Sequence, residues 1–178
     1  MTVGAGRVLT RDELRALFEG AIESVCRLEA QQIYDAPGET ERIEVFLAGR
    51  DGWQRPPDDE SLRMIHETTA QGVAWSRVHV IEEPLTDYLR FELAAYHENE
   101  AAGEAVWIAS RATYPAFASL TEDFVIIDDR IGVLFRYDQH GWLLGYERIA
   151  DEDLDHYRRC RDLAFAHAVR LVDYHVAT

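Results

Sequence analysis

The sequence contains no lysine; all eighteen of its basic residues are arginine. Without an ε-amino group the chain cannot form a Schiff base, hold pyridoxal phosphate, or build a P-loop around a phosphate-binding lysine. Cysteine is nearly absent too. Cys26 and Cys160 are too few and too far apart for a disulfide scaffold or a zinc knuckle, and both read as reduced thiols of a cytoplasmic protein. Residues 1–10 lack the continuous apolar core of a signal peptide. No window approaches the roughly 18 apolar residues that span a bilayer, so no membrane partner is expected. There is no internal repeat or low-complexity tract, and no serine sits in a Gly-x-Ser-x-Gly elbow. His66-Glu67-Thr68-Thr69-Ala70 begins like a zinc-protease helix, but its fifth position must be histidine for two imidazoles to share a metal; His97-Glu98 fails in the same way at Ala101. Neither a metal nor a cofactor is expected.

What is present is acid. Thirty-three carboxylate residues against eighteen arginines give a formal charge of -15. Such a surface repels phosphate backbones and anionic membranes, which argues against nucleic acid as a direct partner and for a basic protein or a cationic ligand. A length of 178 residues with 47% apolar content fits one domain, 1–178, with residues 1–9 loose.

The order of elements reads as α/β. Thr10 and Glu13 form a capping box for a short helix, and Glu39 to Ala48 and the stretch after Asp58 or Asp59 read as further helices. The stretch from Ser24 to Tyr34 suits strand or helix, with the lean toward strand. Ala74 to Ile81 alternates as a strand, Pro84 ends it, Thr86 or Asp87 caps a helix running to about Asn99, and Gly103 turns the chain into the strand Ala105 to Ala109. That is a βαβ unit with parallel strands. Phe124 to Asp128, Arg130 to Tyr137 and Trp142 to Ile149 follow as an antiparallel meander. Asp151 then caps a long last helix whose inward stripe runs from Leu154 to Val172.

One charge is out of place. At about 100° per residue from Asp87, Glu92 falls near 140°, inside the arc covered by Tyr88, Leu89, Leu93 and Tyr96. A carboxylate there must be paired, bonded to a tyrosine, or protonated. Arg161 is a candidate partner, with Arg77 and Arg136 as alternatives. Asp128-Asp129-Arg130 at a strand end reads first as a tight turn and second as carboxylates aimed into a site.

Arg27-Leu28-Glu29 with Tyr34, the run Glu83 to Leu93, Ala102-Gly103-Glu104 and Ile127-Asp128-Asp129-Arg130 together resemble an uncharacterised family of small acidic actinobacterial proteins, over roughly residues 25–174. Its members are often encoded beside helix-turn-helix regulators, and the resemblance implies a regulatory partnership of that kind. The element order also resembles, more distantly, one half of a phospholipase D-like domain. Aligning that superfamily's active Asp with Asp128 puts Thr121 and Asp123 where its His and Lys stand, which implies a degenerate site. The expectation is therefore a non-catalytic regulatory or binding module that engages a helix-turn-helix regulator or other basic protein, a small molecule, or a second copy of itself as a homodimer. Its contacts would come from Arg27, Glu29, Asp87, Tyr88, Arg90, Glu92, Asp128 and Asp129. The alternative is a small enzyme of a biosynthetic pathway with Glu92 as general acid or base.

Overall fold

The computed structural model describes residues 6–175. It is a mixed α/β structure built on one eight-stranded sheet. The strands are β1 (Val8–Leu9), β2 (Ser24–Glu29), β3 (Ala74–Ile81), β4 (Ala105–Ser110), β5 (Asp123–Ile127), β6 (Ile131–Tyr137), β7 (Leu143–Arg148) and β8 (Val169–Arg170). Their spatial order is β1-β7-β6-β5-β2-β3-β4-β8. Three neighbouring strands, β2, β3 and β4, run parallel, and every other pairing between named strands is antiparallel. Val25, Leu28, Val78, Val80, Val106 and Ile108 are almost wholly buried, as expected where helices cover both faces of parallel strands.

Five helices do the covering: α1 (Arg11–Glu19), α2 (Glu39–Leu47), α3 (Glu60–Ala70), α4 (Asp87–Ala102) and α5 (Leu154–His167). On one face α1 and α3 pack over Val25, Trp75, Val125 and Val133, α4 lies over Ile81 and Ile108, and α2 leans on α4 from outside. The other face carries α5, whose Leu154, Tyr157 and Ala164 meet Val78, Val80, Ile126 and Leu134. Caps fix the helix starts. Thr10 and Glu13 form the capping box of α1, Asp59 accepts from Ser61 and Leu62 at the start of α3, and Thr86 accepts from the Leu89 N–H at 3.0 Å at the start of α4. Among the described residues no helix is long and apolar enough to cross a membrane.

Three expectations need correction. Val8–Leu9 pair with Glu147 and Tyr146 of β7, so residues 8–9 belong to the sheet; residues 1–5 lie outside the described residues. Asp151 does not cap α5, since the N-cap position is Asp153, without a side-chain cap bond. Nor does the helix reach Val172: at Ala168 the chain becomes extended, and Val169–Arg170 join the sheet beside β4. The Arg170 guanidinium sits 4.6 Å over the Trp107 ring and 3.1 Å from Glu100, contacts that a continuing helix would carry away from β4.

The turn from α4 into β4 depends on Gly103, at φ +114°, where a Cβ would lie 2.9 Å from Thr69 Cγ2 of α3. Gly103→Ala is expected to cost about 2 kcal/mol through backbone strain and this clash. A urea midpoint equal to that of wild type would show that the helix can end some other way.

Candidate functional site

Parallel pairing places Arg27 of β2 beside Arg77 of β3, and Glu29 beside His79. All four side chains point toward α4, because alternate residues of a strand share a face. On α4, Tyr88, Glu92, Tyr96 and Asn99 are spaced to fall on one side of the helix and close over them. Glu29 is the hub. Its carboxylate is 2.9 Å from Arg27, 2.9 Å from Arg77, and accepts from the Tyr96 hydroxyl at 2.7 Å. Arg77 also meets Glu104 at 3.2 Å, and Asn99 donates to Glu104 at 2.5 Å. Glu29, Arg77, His79, Glu92, Asn99, Glu104 and Asp123 are all buried.

These surroundings drive the acids apart. Burial would raise Glu29, yet the Arg27 and Arg77 guanidiniums outweigh it and hold the carboxylate far below its ordinary range. Glu92 has no salt-bridge partner among the described residues, although Arg77 and Arg55 act on it from farther off. Burial, with Glu29 and Glu39 close by, lifts it to about 7, and its one hydrogen bond among the described residues comes from Tyr88 at 3.3 Å. Asp123 is raised to about 6 by burial and by Glu29, although it accepts from Tyr34 at 2.5 Å and from the Ala30 N–H at 2.8 Å.

His79 links this interior to the chain beyond β2. Its Nε2 lies 2.8 Å from the Gln31 carbonyl and therefore donates, while Nδ1 lies 2.7 Å from the Tyr96 hydroxyl. Burial holds His79 below its ordinary value, and a neutral ring accepts at Nδ1. The single Tyr96 proton then serves two acceptors, His79 and Glu29.

The segment Ala30–Ile33, pinned by His79 and Asp123 on its inner side, lines a cleft on its outer side. The cleft has a volume of about 480 Å³ and is bounded by Gln31, Gln32, Arg111, Thr121, Gln139 and His140, among others. It lies at the carboxyl ends of the parallel strands. There β2 has parallel β3 on one side and the start of antiparallel β5 on the other, and ligands of α/β sheets bind outside the carboxyl ends of the parallel strands. Arg111 follows β4 and is held by Glu82 and by the Leu120 carbonyl at 2.9 Å; its Nε is shielded from solvent and has no hydrogen-bond partner among the described residues.

Of the residues singled out in the sequence, Arg27, Glu29, Tyr88 and Glu92 meet in this network. Asp87 and Arg90 do not: they face solvent on the far side of α4, 3.9 Å apart. Asp128 and Asp129 lie at the opposite end of the sheet, both with positive φ, in the tight turn that their sequence favours. Asp128 caps the N–H groups of Ile22, Glu23 and Ser24, and Asp129 pairs with Arg158 and Arg161. None of the three arginines considered for Glu92 pairs with it; Arg161 holds Asp129 and Asp162, Arg77 holds Glu29 and Glu104, and Arg136 holds Glu122 and Glu147. Sequence reasoning missed His79, Asn99 and Arg111, and it named Tyr96 only as a neighbour of Glu92 and Asp123 only in the phospholipase D-like alignment. The first had a signal, since Arg77 and His79 share strand parity with Trp75 and Ile81, which puts charge on an inward face. The cysteines are outside the site, and burial pushes the Cys26 thiol up to about 11.

The chain belongs to the family described as Domain of unknown function (DUF6879), matched over residues 12–176. No curated protein matches it. Eleven chains of solved structures do. One is TrmBL2, described as an archaeal chromatin protein that shows a novel mode of DNA binding, similar at 9% identity with a TM-score of 0.49. The likeness covers 94% of this chain and 55% of that one, so the chain spans little more than half the length of TrmBL2. The exclusion of nucleic acid as a direct partner is withdrawn. It rested on the net charge, which averages a whole surface and says nothing of a local patch.

Two stability measurements follow from the network. The unfolded chain releases the Glu92 proton near the ordinary 4.5, whereas the folded chain keeps it to about 7. The folded state therefore binds this proton more tightly, and stability falls as pH rises through that window, by about 3 kcal/mol in all. Glu92→Gln should accordingly gain on wild type in urea midpoint between pH 5 and pH 8; a pH-independent difference would rule out the raised value. Arg77→Met leaves Glu29 and Glu104 short of a partner and should cost about 3–5 kcal/mol in the same assay.

Proposed function

We propose that the chain is a ligand-binding module of regulatory type, with a small polar ligand held in the cleft at the carboxyl ends of β2, β3 and β4. The observation that carries this reading is the position of a cleft of about 480 Å³ at the point where β2 lies between a parallel and an antiparallel neighbour. That volume falls in the range of small-molecule sites. Arg111 lines the cleft and brings a positive charge to it, and Gln31, Thr121, Gln139 and His140 supply neutral polar contacts. The network behind Ala30–Tyr34 acts as a rigid backing that keeps the cleft wall in place, which lowers the ordering cost of binding.

In the phospholipase D-like alignment, Thr121 lines this same cleft and Asp123 stands behind its wall. Neither residue supplies the His nucleophile or the Lys of that chemistry, so no phosphodiesterase step is proposed. A second reading keeps Glu92 as a general acid or base, favoured by its rise to about 7. Glu92 does not line the cleft, and for that reason the binding reading stands first.

The test is a thermal-shift and native mass spectrometry screen of small carboxylates, phosphates and sugars on the purified chain. Hits should be lost in Thr121→Trp, which fills the cleft from its exposed rim, and weakened at least about tenfold in Arg111→Met. They should be unchanged in Asp87→Ala and Arg90→Ala, on the solvent face of α4. Ligands that bind Thr121→Trp as they bind wild type would overturn the reading.

A further inference from the structure

Two arginines side by side on neighbouring strands would repel strongly in a buried setting, and the Glu29 carboxylate between them relieves this. They are not treated alike. Arg77 has a second carboxylate in Glu104, lies 5.0 Å over the Tyr96 ring, and is 10% exposed. Arg27 has Glu29 as its one salt-bridge partner among the described residues, and 25% of its side chain is open. Its Nε is shielded from water and has no hydrogen-bond partner among the described residues.

The surroundings of that open side are aromatic. The guanidinium stands 4.7 Å over the Phe135 ring, Phe135 meets Tyr146 edge-on at 5.3 Å, and Tyr137 meets Tyr34 at 5.2 Å. Phe135, Tyr137 and Tyr146 are only half-buried. The same stretch of sheet thus offers a planar cation, a quarter of it exposed, beside half-buried ring surface. A stacked guanidinium is weakly hydrated and matches a carboxylate in shape, while the rings suit an apolar body. Charge narrows the choice further, because Glu29 at 2.9 Å and the nearby Asp123 oppose a dianion more than a monoanion.

We infer that Arg27 anchors a second binding site, distinct from the strand-end cleft, that takes a small organic monocarboxylate with an aromatic or aliphatic body. The carboxylate accepts from Arg27, and the body covers Phe135 and Tyr146. This site does not depend on the cleft being occupied.

Benzoate, with benzamide as its neutral counterpart, tests the assignment by titration calorimetry and ligand-observed NMR. Benzoate is expected to bind at least about tenfold tighter than benzamide, Arg27→Gln to lose about tenfold in benzoate affinity, and Tyr146→Ala to lose a few-fold with its circular dichroism unchanged. Arg111→Met, in the cleft, should leave benzoate binding as it is. Equal affinity for benzoate and benzamide, no benzoate binding at about 10 mM, displacement of benzoate by an equal concentration of inorganic phosphate, or loss of benzoate binding in Arg111→Met would each overturn the proposal. Should Arg27→Gln fail to fold, the benzoate, benzamide and phosphate comparison on wild type together with Tyr146→Ala decides it.

Discussion

The side-by-side placement of Arg27 and Arg77 on the two central parallel strands is the constraint around which this structure is arranged. Like charges at strand-pair distance inside a sheet are tolerable only with a carboxylate between them, and Glu29 occupies that position two residues along from Arg27 on the same face. Much else follows from keeping that carboxylate ionised. Tyr96 donates to it from α4, and Glu104 draws off part of the charge of Arg77 immediately after the Gly103 turn. Asn99 steadies Glu104, and Arg55 reaches in from the loop after α2 to donate to Asn99 at 2.5 Å. Helix, turn and loop are thus tied to the sheet by polar contacts as well as by apolar burial.

This explains why the sequence was legible in some stretches and opaque in others. The β3-α4-β4 unit could be read because its signals agree: alternation, Pro84, the Thr86 cap and Gly103 all point to the same boundaries. Strand β2 was ambiguous for a physical reason. Its inward face carries Val25, Arg27 and Glu29, so charge occupies positions that pattern reasoning reserves for apolar side chains. The same substitution of charge for hydrocarbon marks Arg77 and His79 on β3, and only the pairing of the two strands turns these separate irregularities into one cluster. Glu92 could be recognised as misplaced from helical spacing alone, but its neighbours come from α2 and β2, across long stretches of chain that no local pattern connects. The end of α5 was misjudged because Ala168, Val169 and Val172 continue an apolar rhythm that suits helix and edge strand equally.

The interior also separates two kinds of acid in a small volume. Glu29 is held ionised by its guanidiniums, while Glu92, a helix turn from Tyr96, is held partly protonated near neutrality. Pairs of carboxylates pushed apart in this way are found at catalytic centres, and they are also found wherever a charged hub needs a flanking group that can shed its charge. Here the open surfaces lie elsewhere, at the strand-end cleft and at the exposed quarter of Arg27, and Glu92 does not line the cleft. His79 joins the interior to the cleft wall through a hydrogen bond from its Nε2 to the Gln31 carbonyl.

An eight-stranded sheet with this much valine and isoleucine would be an efficient template for stacking other chains if its borders were long and regular. Both outermost strands, β1 and β8, are instead two residues each. The portion of β7 that β1 does not cover is interrupted by the irregularity at Arg136/Tyr137 and by Gly145 at φ +156°. Short and broken borders give an incoming strand little backbone to pair with, so the fold guards itself against edge-to-edge aggregation by geometry.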